Sequence, residues 1–318
     1  MSKEHRNVRA FVFYVIVLSL FLAGTLTAGI EDTVTKSFDV GPGGRLQIET
    51  DLGSIEVHGE QGDVVRIEVR REFKSSDRGD AEKAFANFIL DFDQKGDDVT
   101  VRGEYKQPGL SRLWDRMRNK LRVKFVVTVP KEYNAFLQTK GGSVSVSMLE
   151  GDVESHTSGG SLSFDDIRGD ILGNTSGGGI ELGQIEGNVD VDTSGGAISA
   201  ERVIGDLDAS TSGGSIRIDE VSGTVKAKTS GGSVTAFLSE QPESDCRLTT
   251  SGGSVTIYLA DGLSFDLDAH ASGGSIKTEV PLQIQGKVDK RSIQGALNGG
   301  GPQLSLRTSG GSIYIKKK

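Results

Sequence analysis

The residues best placed to do chemistry share one position of an internal repeat: Asp152, Asp170, Asn188, Asp206, Asp245 and Asp266. Carboxylates brought into one line repel each other, which raises their pKa values or recruits a cation. Asp and Asn following a corner glycine also accept hydrogen bonds from turn amides without any metal, and this is the reading we adopt. His156 and His270 share a second position, otherwise held by Asn174, Asp192, Ser210, Lys228, Thr249 and Arg307. A column that tolerant of polar types faces water, so both imidazoles are expected at the surface. His58 has no Ser or Cys nucleophile signature beside it in sequence. Cys246 is the only cysteine, which rules out an intramolecular disulfide, and it falls in an apolar column as a small hydrophobe. Asp165, Asp166, Glu181 and Glu201 supply carboxylates of the kind that cleave glycans, but the spacing assigns no acid and base pair. The TSGG turns lack the GK[ST] and the following helix that a phosphate loop needs. No catalytic, cofactor-binding or metal-ligating residue is therefore assigned, and the chain is read as a non-enzyme that takes no cofactor.

These positions are defined by a repeat. TSGG starts at Thr157, Thr175, Thr193, Thr211, Thr229, Thr250 and Thr308, with TKGG at Thr139, ASGG at Ala271 and a diverged TDLGSIEV at Thr50. The step is 18 residues from Thr139 to Thr229, then 21, 21 and 37. Four residues before each Thr stand Ala135, Val153, Ile171, Val189, Leu207, Val225, Cys246, Leu267 and Leu304, and an alternate apolar position follows two residues on. Five residues after it come Val144, Leu162, Ile180, Ile198, Ile216, Val234, Val255, Ile276 and Ile313. Each repeat thus reads as two short strands joined by two glycine corners, SGG at one and Gly151, Gly169, Gly187, Gly205 or Gly223 at the other. Corner glycines are expected to serve positive φ. One 18-residue unit cannot enclose its own apolar side chains, whereas stacked units can. The predicted fold is all-β, a parallel β-solenoid (β-helix or β-roll) of about 18-residue coils with a small helical insertion near the N-terminal end.

The sequence divides accordingly. Residues 1–30 carry Lys3, Arg6 and Arg9 before an uncharged stretch from 10 to 30, which fits a cleaved signal peptide or an N-terminal transmembrane anchor equally well. With no cysteine near its end, that stretch is not a lipoprotein anchor. Residues 31–76 read as diverged first β-repeats, 77–130 as a helix-containing cap with strands, and 131–318 as the regular solenoid with an inserted loop at 279–305. Within the cap, Ala84, Phe85, Phe88, Ile89 and Phe92 predict an amphipathic helix behind Ser75 and Ser76. Leu110, Leu113, Trp114, Met117 and Leu121 predict a second, ringed by Arg112, Arg116, Arg118, Lys120 and Arg122. The net charge is −8, and −10 without the first 28 residues, a balance that disfavours nucleic acid as a partner.

The TSGG columns of alternating Val and Ile, the segment VTVPKEYNAFLQT before the first regular turn and the apolar N-terminus resemble the bacterial "putative adhesin" β-strand-repeat family. The resemblance covers residues 38–315 and departs from pure repetition at 77–130. It implies an extracytoplasmic protein, secreted to the periplasm or cell surface or held by its N-terminal segment, and it transfers no catalytic residue. The expected function is a structural or interaction module presenting its surface to an envelope polymer, a membrane or a protein partner. The alternatives are a carbohydrate-active β-helix enzyme and a membrane-anchored envelope-stress partner.

Overall fold

The computed structural model describes residues 29–106, 119–284 and 289–318. The stretch 1–28, and with it most of the candidate signal or anchor, lies outside the described residues. Ile30, the last residue of the uncharged stretch, opens the strand Ile30–Asp39 instead. Among the described residues no helix is long and apolar enough to cross a membrane.

The alternation seen in the repeat becomes two strands per coil. Val153, Ser155 and Thr157 point inward from one, and Leu162 and Phe164 from the next. Successive coils pair in register, so that Val153 lies beside Ile171, Ile171 beside Val189 and Val189 beside Leu207, with a shift after Ile218, where Val221 pairs with Leu238. The result is a parallel β-solenoid with, among the described residues, two sheets of 13 and 14 strands enclosing one apolar core. Each wholly buried Ile or Val contributes about 1.5–3 kcal/mol relative to exposure, and one column alone supplies Val144, Ile180, Ile198, Ile216, Val234 and Val255.

Phe164 shows how the core is filled. In the facing column Ser155 and Gly173 are small, and a Cβ built on Gly173 would meet Phe164 Cε2 at 3.3 Å, so the aromatic ring fills the space that a larger residue would take elsewhere. Ser155 is fully buried and its hydroxyl has no hydrogen-bond partner.

The glycine pairs have a different cause from the one expected. None of the SGG glycines has positive φ. A Cβ on Gly160 would instead sit 2.1 Å from the carbonyl oxygen of Gly142 one coil away, and one on Gly178 would sit 2.2 Å from that of Gly160. Backbone stacks on backbone there. At the opposite corner Gly151, Gly169, Gly187 and Gly205 do have φ between 144° and 158°, as expected, but Gly223 does not have positive φ.

Spatial order departs from chain order at both ends. Coil 45–60 lies between coil 98–130 and coil 134–150, because Leu46 pairs with both Val99 and Ala135. At the far end, coil 303–317 is inserted between coils 246–259 and 265–278, with Leu304 beside Cys246 and also beside Leu267. The first sheet is closed at the N-terminal end by the antiparallel strands Val64–Phe73 and Ile30–Asp39, the second by Phe88–Lys95.

The predicted helices need correction. The first is Arg78–Asn87, capped by Asp77, whose carboxylate accepts from the Asp80 amide at 3.0 Å. Ser75 and Ser76 are not its caps, and Phe88, Ile89 and Phe92 belong to the strand Phe88–Lys95. The spacing of Phe88 and Phe92 fits period two as well as a helix, and pairing with Asp98–Tyr105 decides it. Of the second predicted helix, residues 107–118 lie outside the described residues. Leu121 and Arg122 open the strand Leu121–Pro130, so they are not helical. The insertion expected as a loop at 279–305 contains the strand Ser292–Leu297, antiparallel to Phe265–Ala271.

Candidate functional site

The Asx column sits at the corner that starts each strand of the second sheet. Asp152 Oδ1 accepts from the amide of Asp170 at 3.0 Å, Asp170 Oδ1 from Asn188 at 2.8 Å, Asn188 Oδ1 from Asp206 at 3.2 Å and Asp206 Oδ1 from Thr224 at 2.7 Å. Asp245 does the same for Gln303, at 2.8 Å. These side chains cap amides as expected, but the amide belongs to the next coil, not to the residue's own turn. Two members were missed: Asn134, which accepts from Asp152 at 2.9 Å, and Asp98, which accepts from Arg45 at 2.9 Å. Asn134 stands five residues before Thr139, so its column could have revealed it. Asp98 has no such marker, because its coil carries Gly103 where the others have Thr. Asp266 is placed differently, with its carboxylate against Gly300.

Beside this ladder runs a groove of about 580 Å³ on the outward side of the second sheet. Its floor carries Phe136, Glu154, Leu172, Asp190, Asp208 and Lys226, one from each successive coil. Leu172 is 39 % exposed, an apolar rung between acidic ones. Partial burial, and then the neighbouring Asp190, push the Asp208 carboxyl above the usual carboxylate range, while Lys226 opposes the shift.

The opposite face brings together residues that the sequence kept apart. His58 Nδ1 lies 3.0 Å from Ser147 Oγ, a pair 89 positions apart in the chain. A hydroxyl–imidazole–carboxylate relay needs the acid on the far side of the imidazole. Here Asp165 is the next rung beyond Ser147, and His58 is followed on its other side by Thr128. Asp165 is itself engaged by the Gln184 amide at 3.2 Å. The order is wrong for a relay, with His58 exposed and Ser147 half-buried.

Further along this face Asp165, Glu181, Glu201 and Asp219 surround Gly183 in an open hollow. Asp166, which has φ of 53°, lies outside it. His156 is less solvated than expected. Its Nε2 is 2.8 Å from Glu154 Oε1 and its ring is 6.1 Å from that of Phe136. His270 is exposed. Cys246 is buried in the core, and burial is the main cause raising its thiol pKa. Among the described residues no group of three or more His, Cys, Asp or Glu side chains is placed to hold a metal ion.

No curated protein matches the sequence. Among solved structures, the chain is similar to a "putative adhesin" from Parabacteroides distasonis, at 12 % identity and TM-score 0.41, over 89 % of this chain and 97 % of that one. A "putative lipid binding protein" from the same organism matches at 14 % identity and TM-score 0.38, over 90 % and 98 % of the two chains. A "putative cell adhesion protein" from Clostridium sporogenes matches at 10 % identity and TM-score 0.23, over 90 % and 100 %. The family model named Toastrack DUF4097 matches residues 45–316, which is the whole stack of coils, and the chain belongs to that family.

Proposed function

We propose that the protein is a non-catalytic, extracytoplasmic interaction module that presents its solenoid faces to a polymer of the cell envelope. The observation that carries this reading is the groove beside the Asx ladder. It crosses one strand of each coil from Arg45–Thr50 to Val225–Thr229, and the ladder along its edge repeats one Asp or Asn per coil from Asn134 to Asp206. At about 4.8 Å per coil that is a continuous surface roughly 30 Å long. A periodic surface of this length matches a partner that is itself linear and periodic. Location outside the cytoplasm is supported by the basic residues Lys3, Arg6 and Arg9 ahead of the uncharged N-terminal stretch.

The test is deletion followed by complementation. Cells lacking the protein should become sensitive to detergent or lose adhesion, and the intact chain should restore them. An unchanged deletion strain would count against the proposal.

A second reading, a glycan-cleaving enzyme, is favoured by the carboxylates around Gly183. Product release from a glycan panel that is abolished by Glu201→Gln would establish it and displace the first.

A further inference from the structure

One patch of the first sheet differs from the rest of the molecule. On the outward side of the last coils Phe237 lies beside Tyr258, which lies beside Lys316. In the parallel column Thr256 is followed by Tyr314 and then Lys277. The ammonium groups sit on the rings: Lys318 lies 3.5 Å from the Phe237 centroid, Lys277 5.6 Å from Tyr314, and Lys316 5.6 Å and 6.0 Å from Tyr258 and Tyr314. The neighbouring Lys317 is paired with Asp261 at 2.8 Å.

This concentration of positive charge stands in a chain of net charge −8, on the same sheet whose middle carries Asp165, Glu181, Glu201 and Asp219. Arg66, Arg70, Lys124, Arg168, Arg202 and Arg217 on this sheet are each paired with a carboxylate, whereas Lys277, Lys316 and Lys318 sit on rings, a local excess of positive charge that attracts an anionic partner. Rings hold the ammonium groups in place while leaving N–H donors free, so less side-chain freedom is lost when an anion arrives.

The shape of the patch discriminates between anionic partners. Phe237, Tyr258 and Tyr314 are half-buried and lie along a sheet. Among the described residues, the large apolar side chains that do project, Ile89, Met148, Leu172, Ile204 and Ile284, are all elsewhere. Insertion into a bilayer needs such projecting groups. A flat face of partly exposed rings suits sugar rings, whose C–H groups carry the partial positive charge that an aromatic face attracts.

We infer that Phe237, Tyr258, Tyr314, Lys277, Lys316 and Lys318 form a binding surface for an anionic glycan. Its acidic groups meet the lysines, which the rings hold in place, and its sugar rings pack on the aromatic surface that the ammonium groups leave exposed. This rests on the interaction-module reading and adds to it a ligand class and a location away from the groove.

The test uses the purified full chain with three probes: alginate, which is carboxylated, heparin, which is sulfated, and dextran, which is neutral. The chain should bind alginate or heparin, more weakly as salt rises, and should not bind dextran. Lys277→Glu with Lys316→Glu, and separately Tyr258→Ala with Tyr314→Ala, should each weaken binding by about tenfold or more. The lysine pair carries the test if the tyrosine pair fails to fold. Absence of binding to both anionic glycans overturns the inference. So does binding that neither variant changes, or variant-sensitive binding to phosphatidylglycerol vesicles without glycan binding. The deletion strain separates the two readings. If the lysine variant restores envelope resistance while the glycans do not bind, only the patch is refuted; if the intact chain restores nothing, the broader reading fails as well.

Discussion

The hydroxyl of Thr193 donates to the carbonyl oxygen of Gly178, one coil away, at 2.7 Å. The same hydroxyl oxygen accepts from the amide of Gly196 in its own turn at 3.4 Å. Thr157, Thr175, Thr211, Thr229, Thr250 and Thr308 repeat both contacts. The TSGG signature is therefore a fastener between coils as well as a turn. Thr193→Val keeps the shape and leaves two half-buried polar groups, the Gly178 carbonyl and the Gly196 amide, without this partner, which should cost about 1 kcal/mol. Thr193→Ser should cost less, and urea denaturation of the two variants would rank them.

Glycines of the SGG corners should respond differently to the same change. A Cβ on Gly141 meets nothing within 4 Å, whereas one on Gly160 would overlap the Gly142 carbonyl oxygen at 2.1 Å. Gly141→Ala should stay within about 0.5 kcal/mol of the parent. Gly160→Ala must push neighbouring coils apart, at about 3 kcal/mol. Equal thermal midpoints for both variants would refute the stacked-backbone account.

Ser155→Ala should stabilise the protein. The hydroxyl is fully buried with no partner, so its removal recovers a desolvation penalty of about 1 kcal/mol. A lowered denaturation midpoint in this variant would mean that the hydroxyl has a role that the packing does not show.

Acid should loosen the C-terminal end first. A hydrogen bond and ion pair from Arg307 hold the Asp268 carboxyl below the usual carboxylate range, and Arg307 also donates to the Asp268 carbonyl oxygen at 2.8 Å. A group whose folded pKa is depressed contributes stability that is complete above its unfolded value, near 4, and is lost as pH falls through the folded value. Hydrogen exchange across residues 265–271 and 303–308 should therefore accelerate below about pH 4 and be unchanged near neutrality. Arg307→Gln should abolish the pH dependence and raise exchange throughout.

Cys246 should resist thiol reagents until the protein unfolds. It is 1 % exposed and burial disfavours its thiolate, which is the reactive form. Rapid labelling of the native protein, without loss of secondary structure, would contradict the placement of Cys246 beside Leu304.

The stack itself was legible because position in the sequence maps directly onto position in the coil. Val153, Ile171 and Val189 occupy one column in the sequence and one ladder in space. What the sequence left open depends on partners outside the coil. Phe88 and Phe92 satisfy helical and strand spacing alike, and only the strand Asp98–Tyr105 decides between them. The His58–Ser147 contact was invisible because coil 45–60 skips over coil 98–130 to reach its neighbour. The patch of Phe237, Tyr258 and Tyr314 was missed for a related reason, since Lys316 reaches Tyr258 only through an out-of-order neighbour.

That displaced neighbour also governs how the molecule can be made. Strand Phe265–Ala271 emerges during synthesis before Gln303–Thr308, yet the later strand must slot between it and Cys246–Thr250. A nascent chain therefore cannot wind from one terminus to the other like thread on a spool. Its C-terminal third must keep a gap open, or reopen one, until the final segment arrives, a long-range step that slows completion.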